Sequence, residues 1–320
     1  MTENSTAAES RPEIPLRSVL FAPGNEERKV RKVATFGADC IVLDLEDAVP
    51  EAEKIESRAK VRAAVGTMSG AFITIRVNSL ATGLTEGDVD AIVAPGLDGI
   101  VLPMVVHPDE VERVDEMIGK AEAREGLPEG KIRLITTVET CLGILRGDAI
   151  AAAKSDRVIT LAFGSGDLTL DLDLPTIRRD NTGDELAFGR GKLIYDARSA
   201  GLARPVDGPY LAIRDFEGFE EDCKVARKLG YQGKICIYPP QAPIANRIFA
   251  PDPGEVEFCR KVVTEFTAAL ERGSASITVD GVFVDYPILT KAQRIIALAG
   301  LLAERDAAHA QAAAQAAAGD

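Results

Sequence analysis

Glu139 and Asp167 are the residues around which chemistry could be organised. Each follows an apolar run in the stretch 131–169, KIRLITTVETCLGILRGDAIAAAKSDRVITLAFGSGDLT. The runs at 132–138 and 157–163 read as buried parallel strands, and 142–153 between them has helical spacing. A strand–helix–strand unit brings both acids out at the C-terminal edge of one sheet. Alternating β/α folds carry their active sites at that edge. Gly164-Ser165-Gly166 ahead of Asp167 lets backbone and a ligand approach closely. Two convergent carboxylates on rigid strands suit a hard divalent cation such as Mg²⁺, with water and substrate oxygens in its other positions. Read locally, the same acids are N-cap or first-turn carboxylates that stabilise helix dipoles.

Arg76 follows the apolar run 72–75 and precedes Asn78. A guanidinium at a strand end binds a carboxylate by two parallel hydrogen bonds. Its structural use would be an ion pair with a strand-end acid, and the two uses are compatible. Asp44, Glu46 and Asp47 form a dense acidic group at the end of the run that starts at Cys40. Alternation points Asp44 and Glu46 to one face and Asp47 towards the loop. Arg76 or Arg17 is expected as their counter-charge; the alternative is a solvated acidic loop. Phe21 to Gly24 lead into Arg28, Lys29, Arg31 and Lys32, a basic helix start that suits phosphates or is simply a solvated face. Asp285, two residues before Pro287, stands where an N-cap of the last helix would.

The elements that must position these groups follow from periodicity. Strands are expected at 17–21, 40–45, 71–77, 99–104, 132–138, 157–163, 204–210 and 234–238. Helices are expected at 26–36, 57–68, 85–94, 108–124, 142–153, 186–200 and 215–229. Eight strands alternating with helices over about 230 residues is the pattern of a (β/α)₈ TIM barrel, an α/β fold. A doubly wound open sheet is the alternative, disfavoured because no GxGxxG opens the first helix. The barrel is expected to span 16–250, after a flexible N-terminal arm at 1–15. A C-terminal cap or arm is expected at 251–306, with a helix at 254–270, a hairpin at 275–283 turning on Asp280-Gly281, and a last helix from Asp285 to about Asp306. The Ala/Gln-rich tail, 307–320, is expected to be disordered or weakly helical.

Composition narrows the function classes. The 320-residue chain is 46% hydrophobic and 27% charged, enough for a full core. A net charge of −13 argues against a nucleic-acid partner, which needs a basic surface, but not against an anionic small molecule held by a few arginines. Cys40, Cys141, Cys223, Cys236 and Cys259 form no CxxC pair and read as reduced residues of a cytoplasmic protein. His107 and His309 are the only histidines, too few for His-based zinc sites, and a Ser-His-Asp triad is disfavoured for the same reason. The first residues lack the apolar core of a signal peptide. No run reaches the roughly 18 apolar residues of a membrane helix.

Five motifs then occur in order: Arg17-Ser-Val-Leu-Phe-Ala-Pro-Gly24, Val42-Leu-Asp-Leu-Glu-Asp-Ala-Val49, Arg76-Val-Asn78, Val138-Glu-Thr140 and Phe163-Gly-Ser-Gly-Asp-Leu168. Together they resemble the citrate lyase β-subunit-like family of the HpcH/HpaI aldolase superfamily, which includes malyl-CoA and citramalyl-CoA lyases. The resemblance runs from about residue 16 to 304. It implies a TIM barrel, Mg²⁺, and cleavage or formation of a carbon–carbon bond beside a CoA thioester. Matched by motif, Glu139 and Asp167 would be the metal ligands, with Glu139 also against the substrate. Arg76 would bind the substrate carboxylate or thioester oxygen, with Asp44 in a catalytic role beside it and Asp47 on the substrate. Phe21 and Arg28 would lie near the CoA pocket. The segment Gly281-Val-Phe-Val-Asp285-Tyr-Pro resembles the arm that carries a catalytic Asp into the neighbouring subunit's site in malyl-CoA lyase-type trimers, so a homotrimer, or a hexamer made of two, is implied. Relatives often carry Ile-His-Pro-x-Gln at the eighth strand, where this chain has Ile237-Tyr-Pro-Pro-Gln241. The related 2-oxo-acid aldolases typically place a catalytic His near the second-strand acids; here Asp47-Ala48 stands alone, which fits the CoA-ester branch better.

The expected activity is therefore a Mg²⁺-dependent lyase for malyl-CoA- or citramalyl-CoA-like esters. Its rivals are a citrate lyase β subunit working on an acyl-carrier-protein ester, thioester hydrolysis at the same site, and a non-catalytic regulatory barrel.

Overall fold

The computed structural model describes residues 14–175 and 183–319, with side chains of the last helix described as far as Gln311. Eight parallel strands close into a barrel in simple sequential order, the eighth paired back to the first. They are β1 (Ser18–Pro23), β2 (Cys40–Asp44), β3 (Phe72–Arg76), β4 (Gly99–Leu102), β5 (Arg133–Val138), β6 (Val158–Phe163), β7 (Val206–Asp207) and β8 (Gly233–Cys236). The helices between them are α1 (Glu27–Val33), α2 (Lys54–Val65), α3 (Thr85–Ile92), α4 (Pro108–Glu125), α5 (Cys141–Leu145), α6 (Gly147–Ala151), α7 (Ser165–Asp171), α8 (Ala187–Ser199) and α9 (Phe216–Leu229). The expected (β/α)₈ architecture is the observed one.

Strand alternation builds the site. Cys40 and Val42, Phe72, and Ile135 pack together inside the barrel. Ile41 and Leu43, Ile73 and Ile75, and Leu134 and Val138 face the surrounding helices. Continuing the inward set by twos reaches Asp44 on β2, Arg76 on β3 and Glu139 just past β5. These polar groups are therefore the top layer of the barrel's own interior. Asp44 and Arg76 are register partners on adjacent strands.

Three local features differ from the sequence reading. The helix expected at 142–153 is two short ones, α5 and α6, meeting at Arg146 (φ −103°, ψ 11°); Gly147, a poor helix residue, follows the break. Asp167 does not end a strand but lies in the first turn of α7. The seventh strand, expected over 204–210, is only Val206–Asp207, since Pro205 and Pro209 lack the N–H a ladder needs. Its seam with β8 is closed instead by side chains. Lys234 Nζ bonds Asp207 at 2.5 Å and Asp222 at 2.6 Å, and Arg190 bonds the same two acids at 2.7 and 3.0 Å.

After β8 comes α10 (Gln241–Phe249), for which the sequence reading has no counterpart. Pro239-Pro240 looks like a stop, yet Gln241 Oε1 folds back to accept from the Ile237 and Tyr238 N–H groups and anchors the start. α11 (Pro253–Glu271), the hairpin β9 (Ile277–Val279) and β10 (Val282–Val284), and α12 (Tyr286–Gly319) share a small core of Cys259, Val262, Phe266, Val279, Val284 and Ala292. Asp280 and Gly281 both have positive φ, 48° and 82°, the requirement of a type I′ turn. The last helix does not stop near Asp306. It continues through the Ala-rich stretch to Gly319, alanine being the strongest helix former. Its far half meets the N-terminal face of the barrel, where Asp306 bonds Arg17 at 2.5 Å and Arg305 reaches the Gly70 carbonyl. Among the described residues, no helix is long and apolar enough to cross a membrane.

Candidate active site

At the C-terminal mouth, Arg76 is the hub. Its Nε and one terminal nitrogen donate to the two oxygens of Asp44 at 2.7 and 2.6 Å. The other terminal nitrogen contacts Glu46 at 3.0 Å and Asp47 at 3.1 Å. The Phe21 ring lies 5.2 Å from the guanidinium carbon, a cation–π distance. Asp44 also accepts from the Glu46 and Ala48 N–H groups, both at 3.0 Å. Each of its oxygens thus takes two hydrogen bonds. Arg17, the other expected counter-charge, pairs instead with Asp39 at the opposite end of the barrel.

Behind this knot is a polar network absent from the sequence reading. The buried Lys54 ammonium donates to the Glu46 carbonyl at 2.9 Å and to Asn78 Oδ1 at 2.5 Å. Asn78 donates in turn to the fully buried Asp88, which also holds Arg58. Lys54 therefore ties the acidic turn to α2. Its position one helix start after the acids is the only signal the sequence offers.

Glu139 stands across the mouth, 3% exposed. Its Oε1 accepts from the Met104 N–H at 2.7 Å. Its Oε2 borders Gly164, where a Cβ would fall 2.2 Å from that oxygen. Only glycine fits there, so Gly164 admits Glu139 itself, while Gly166 has open space around it. Thr140 caps α5 by accepting from Gly143 N–H at 3.0 Å, and Asp171 accepts from Cys141 N–H at 2.6 Å. These bonds fix the loop of Glu139 against the helix that carries Asp167.

The electrostatics couple the two halves. Burial pushes the Glu139 carboxyl up to about 7; the Met104 N–H and Arg76 pull it down, and the charges of Asp167 and Asp47 push it up further. Burial likewise pushes Glu46 up to about 8 despite Arg76, with Asp47, Glu139 and Asp44 adding repulsion. Five carboxylates thus share one arginine, since the Lys54 ammonium is spent on the Glu46 backbone carbonyl and on Asn78. Such a set is short of positive charge. Among the described residues, no group of three or more His, Cys, Asp or Glu is arranged to enclose a metal. Glu139 and Asp167 form an open pair, and an oxygen-only, half-open donor set is what Mg²⁺ takes, since it keeps several waters and substrate oxygens.

The remaining sequence candidates are more peripheral. Arg28 is exposed on α1, whose neighbours Lys29 and Arg31 pair with Glu26 and Glu27. Tyr238 stacks on Phe216, ring centroids 6.3 Å apart. Asp285 caps α12, its Oδ1 accepting from Ile288 N–H at 3.3 Å. Among the described residues, no hydrogen bond or ion pair joins Asp285 to the mouth cluster. The five cysteines are free thiols, four of them buried.

The HpcH/HpaI aldolase/citrate lyase profile matches residues 17–239. The citrate lyase subunit beta of Leuconostoc mesenteroides subsp. cremoris is 34% identical over 285 residues, 88% of this chain and 93% of that protein. A (3S)-malyl-CoA thioesterase of Cereibacter sphaeroides is 33% identical over 291 residues, 90% of this chain and 96% of that protein. Among solved structures, CitE from Mycobacterium tuberculosis in complex with magnesium, acetoacetate and coenzyme A matches with a TM-score of 0.70 at 27% identity, over 89% of this chain and 98% of that one. The chain belongs to the HpcH/HpaI aldolase/citrate lyase family, a family of enzymes of the oxo-acid lyase type.

Proposed function

We propose that the protein is a Mg²⁺-dependent lyase that cleaves or forms the carbon–carbon bond of a 3-hydroxyacyl-CoA ester. The substrates are of the malyl-CoA or citramalyl-CoA kind, giving acetyl-CoA or propionyl-CoA plus glyoxylate or pyruvate. The observation that carries this reading is the open Glu139–Asp167 pair facing Arg76 across the mouth of a barrel of this family. Glu139 and Asp167 would hold the cation, which supplies Lewis-acid polarisation of the 2-oxo-acid oxygen when bound.

The chain's own groups do the rest. Asp44, with both oxygens spent, orients Arg76 rather than reacting. Arg76 has Glu46 and Asp47 as exchangeable partners, so a substrate carboxylate or thioester oxygen displaces them and takes the guanidinium. In cleavage, the substrate hydroxyl gives its proton to water at the open mouth, its oxygen becomes the carbonyl of the 2-oxo acid as the bond to the α-carbon breaks, and the electron pair passes to the thioester enolate. Arg76 stabilises the developing charge. The α-carbon then takes a proton from Asp285 of a second copy, a role supported by the lack, among the described residues, of any hydrogen bond or ion pair from Asp285 to the mouth cluster of its own chain. Phe21 and Arg28 flank the CoA side. A homotrimer, or a hexamer of two, supplies the second copy.

A second reading is hydrolysis of the thioester, favoured by the 33% identity to a malyl-CoA thioesterase; the same site needs only a water. A carrier-protein ester as substrate is the corresponding alternative from the citrate lyase subunit. Mass spectrometry decides among them, with purified protein, Mg²⁺, acetyl-CoA or propionyl-CoA, and glyoxylate, pyruvate or oxaloacetate. A new CoA ester that disappears with EDTA is the expected result. Free malate or citramalate with free CoA would favour hydrolysis. No product from any pair would defeat the CoA-ester reading.

A further inference from the structure

The strand that ends beside Glu139 is irregular at one residue. In the β4–β5 ladder, Arg133 N–H bonds the Asp98 carbonyl at 2.9 Å, and Leu102 is the register partner of Thr136. Continued without interruption, this parallel pattern would send the N–H of residue 104 to the Thr137 carbonyl. Instead, Val105 N–H makes that bond, at 3.3 Å. One extra residue, Met104, has been inserted. It adopts φ +58°, the left-handed region that side chains other than Gly and Asn rarely enter. Its N–H is turned out of the ladder and onto Glu139 Oε1, at 2.7 Å.

The insertion is clamped on both sides. The Val105 carbonyl abuts Gly143 of α5, where a Cβ would fall 2.8 Å away. Immediately downstream, Val106 and His107 N–H groups both donate to Glu110, at 2.7 and 3.0 Å, in the capping box that starts α4. Bulges of this kind re-aim backbone groups next to active sites, and left-handed residues other than glycine persist where the surroundings over-determine them.

We propose that Met104 is a positioning residue: a one-residue bulge at the end of β4 spends Glu139 Oε1 on a backbone N–H and reserves Oε2, the oxygen beside Gly164, for the cation. This rests on the reading that Glu139 holds the cation. The device lies in the backbone, so its signature is conformational rather than chemical. Side chains that tolerate the left-handed region should preserve it, and β-branched ones should not.

The test is Mg²⁺ affinity of the full-length protein without substrate, by calorimetry, alongside Tm. Met104→Val should lower Mg²⁺ affinity by about tenfold, the low end for loss of a partner that orients a metal ligand. Met104→Gly keeps the N–H and the left-handed backbone and should recover most of that loss. If Met104→Val fails to fold, replacing Met104 by its α-hydroxy acid removes the N–H alone and should give the same drop. Wild-type affinity in the Val or α-hydroxy protein would overturn the proposal. So would a Gly variant as weak as the Val one, because the side chain would then matter and not the bulge. Glu139→Ala separates the two levels. Its loss of Mg²⁺ binding beside an unaffected Met104→Val would defeat the bulge alone, and wild-type binding in Glu139→Ala would defeat the metal reading itself.

Discussion

Glu139 stands under opposing demands. Buried among carboxylates it favours the protonated form, its carboxyl raised from the ordinary 4.5 to about 7; as a metal ligand it must be ionised. The sign follows. Without metal, the folded chain holds this proton between pH 4.5 and 7 while the unfolded chain does not, so this group's contribution to stability is full below 4.5 and is lost as pH rises to about 7. A Mg²⁺ ion held at Glu139 would reverse the trend by binding the ionised form. Below pH 7, Mg²⁺ affinity should therefore fall by up to about tenfold per pH unit, with up to one proton released per cation bound. Calorimetry in two buffers of different ionisation enthalpy measures that number. Glu139→Gln should abolish Mg²⁺ binding and its proton release, and Glu46→Gln isolates the share of the second raised carboxyl. The sequence could mark Glu139, Arg76 and the acids of the second strand by residue type and strand-end position, and Asp167 by its place shortly after an apolar run, although it lies in the first turn of a helix. Met104 and Lys54 were not legible, because one acts through a backbone N–H and the other from a helix start that pairs with the acids only in three dimensions.

At the scale of elements, the weak place in the barrel is β7. It pairs with β6 through a single residue and with β8 through two. The tetrad of Lys234, Asp207, Asp222 and Arg190 supplies what the ladder lacks, with Lys234 only 1% exposed. It is balanced in charge, so its members stabilise one another only as a set. Lys234→Met strips one cation from the buried Asp207 and the partly buried Asp222 and should cost about 3 kcal/mol of unfolding free energy, the lower end for breaking a buried pair. Adding Asp222→Asn should return part of that loss, and urea unfolding of the single and double variants measures both. Two variants that match wild type would mean the seam is held elsewhere. The strands were legible because they are continuous apolar runs, buried on both faces as parallel barrel strands are. The break between α5 and α6, the first turn of α7 and the start of α10 were not. The start of α10 depends on the Gln241 side chain folding back onto the Ile237 and Tyr238 N–H groups, which local periodicity does not contain, and a single Gly147 beside helical spacing did not mark the break.

For the whole molecule, the question is which copy Asp285 serves. The C-terminal unit has its own small core of α11, the hairpin and α12, and the far half of α12 is tied to the N-terminal face of the barrel through Arg17 and Asp306. Val282, Phe283 and Tyr286, at 44%, 62% and 54% exposure, flank Asp285 as an apolar tip, and among the described residues the Asp285 side chain bonds only its own helix start. A tip of this kind would be expected to dock on another surface, and the mouth of a neighbouring barrel is where Asp285 would find a thioester. Complementation tests this directly. Glu139→Ala and Asp285→Asn should each be inactive alone, the first for want of the cation and the second for want of the proton donor. Unfolded together at equal amounts and reassembled, a closed cyclic oligomer in which each arm serves a neighbour should regain activity at roughly a quarter of its sites, because half the mouths are intact and half of those receive an intact arm. Activity no greater than the sum of the two parents, in a mixture shown by native mass spectrometry to contain mixed oligomers, would mean that Asp285 serves its own mouth or none, and the second copy would lose its place in the mechanism.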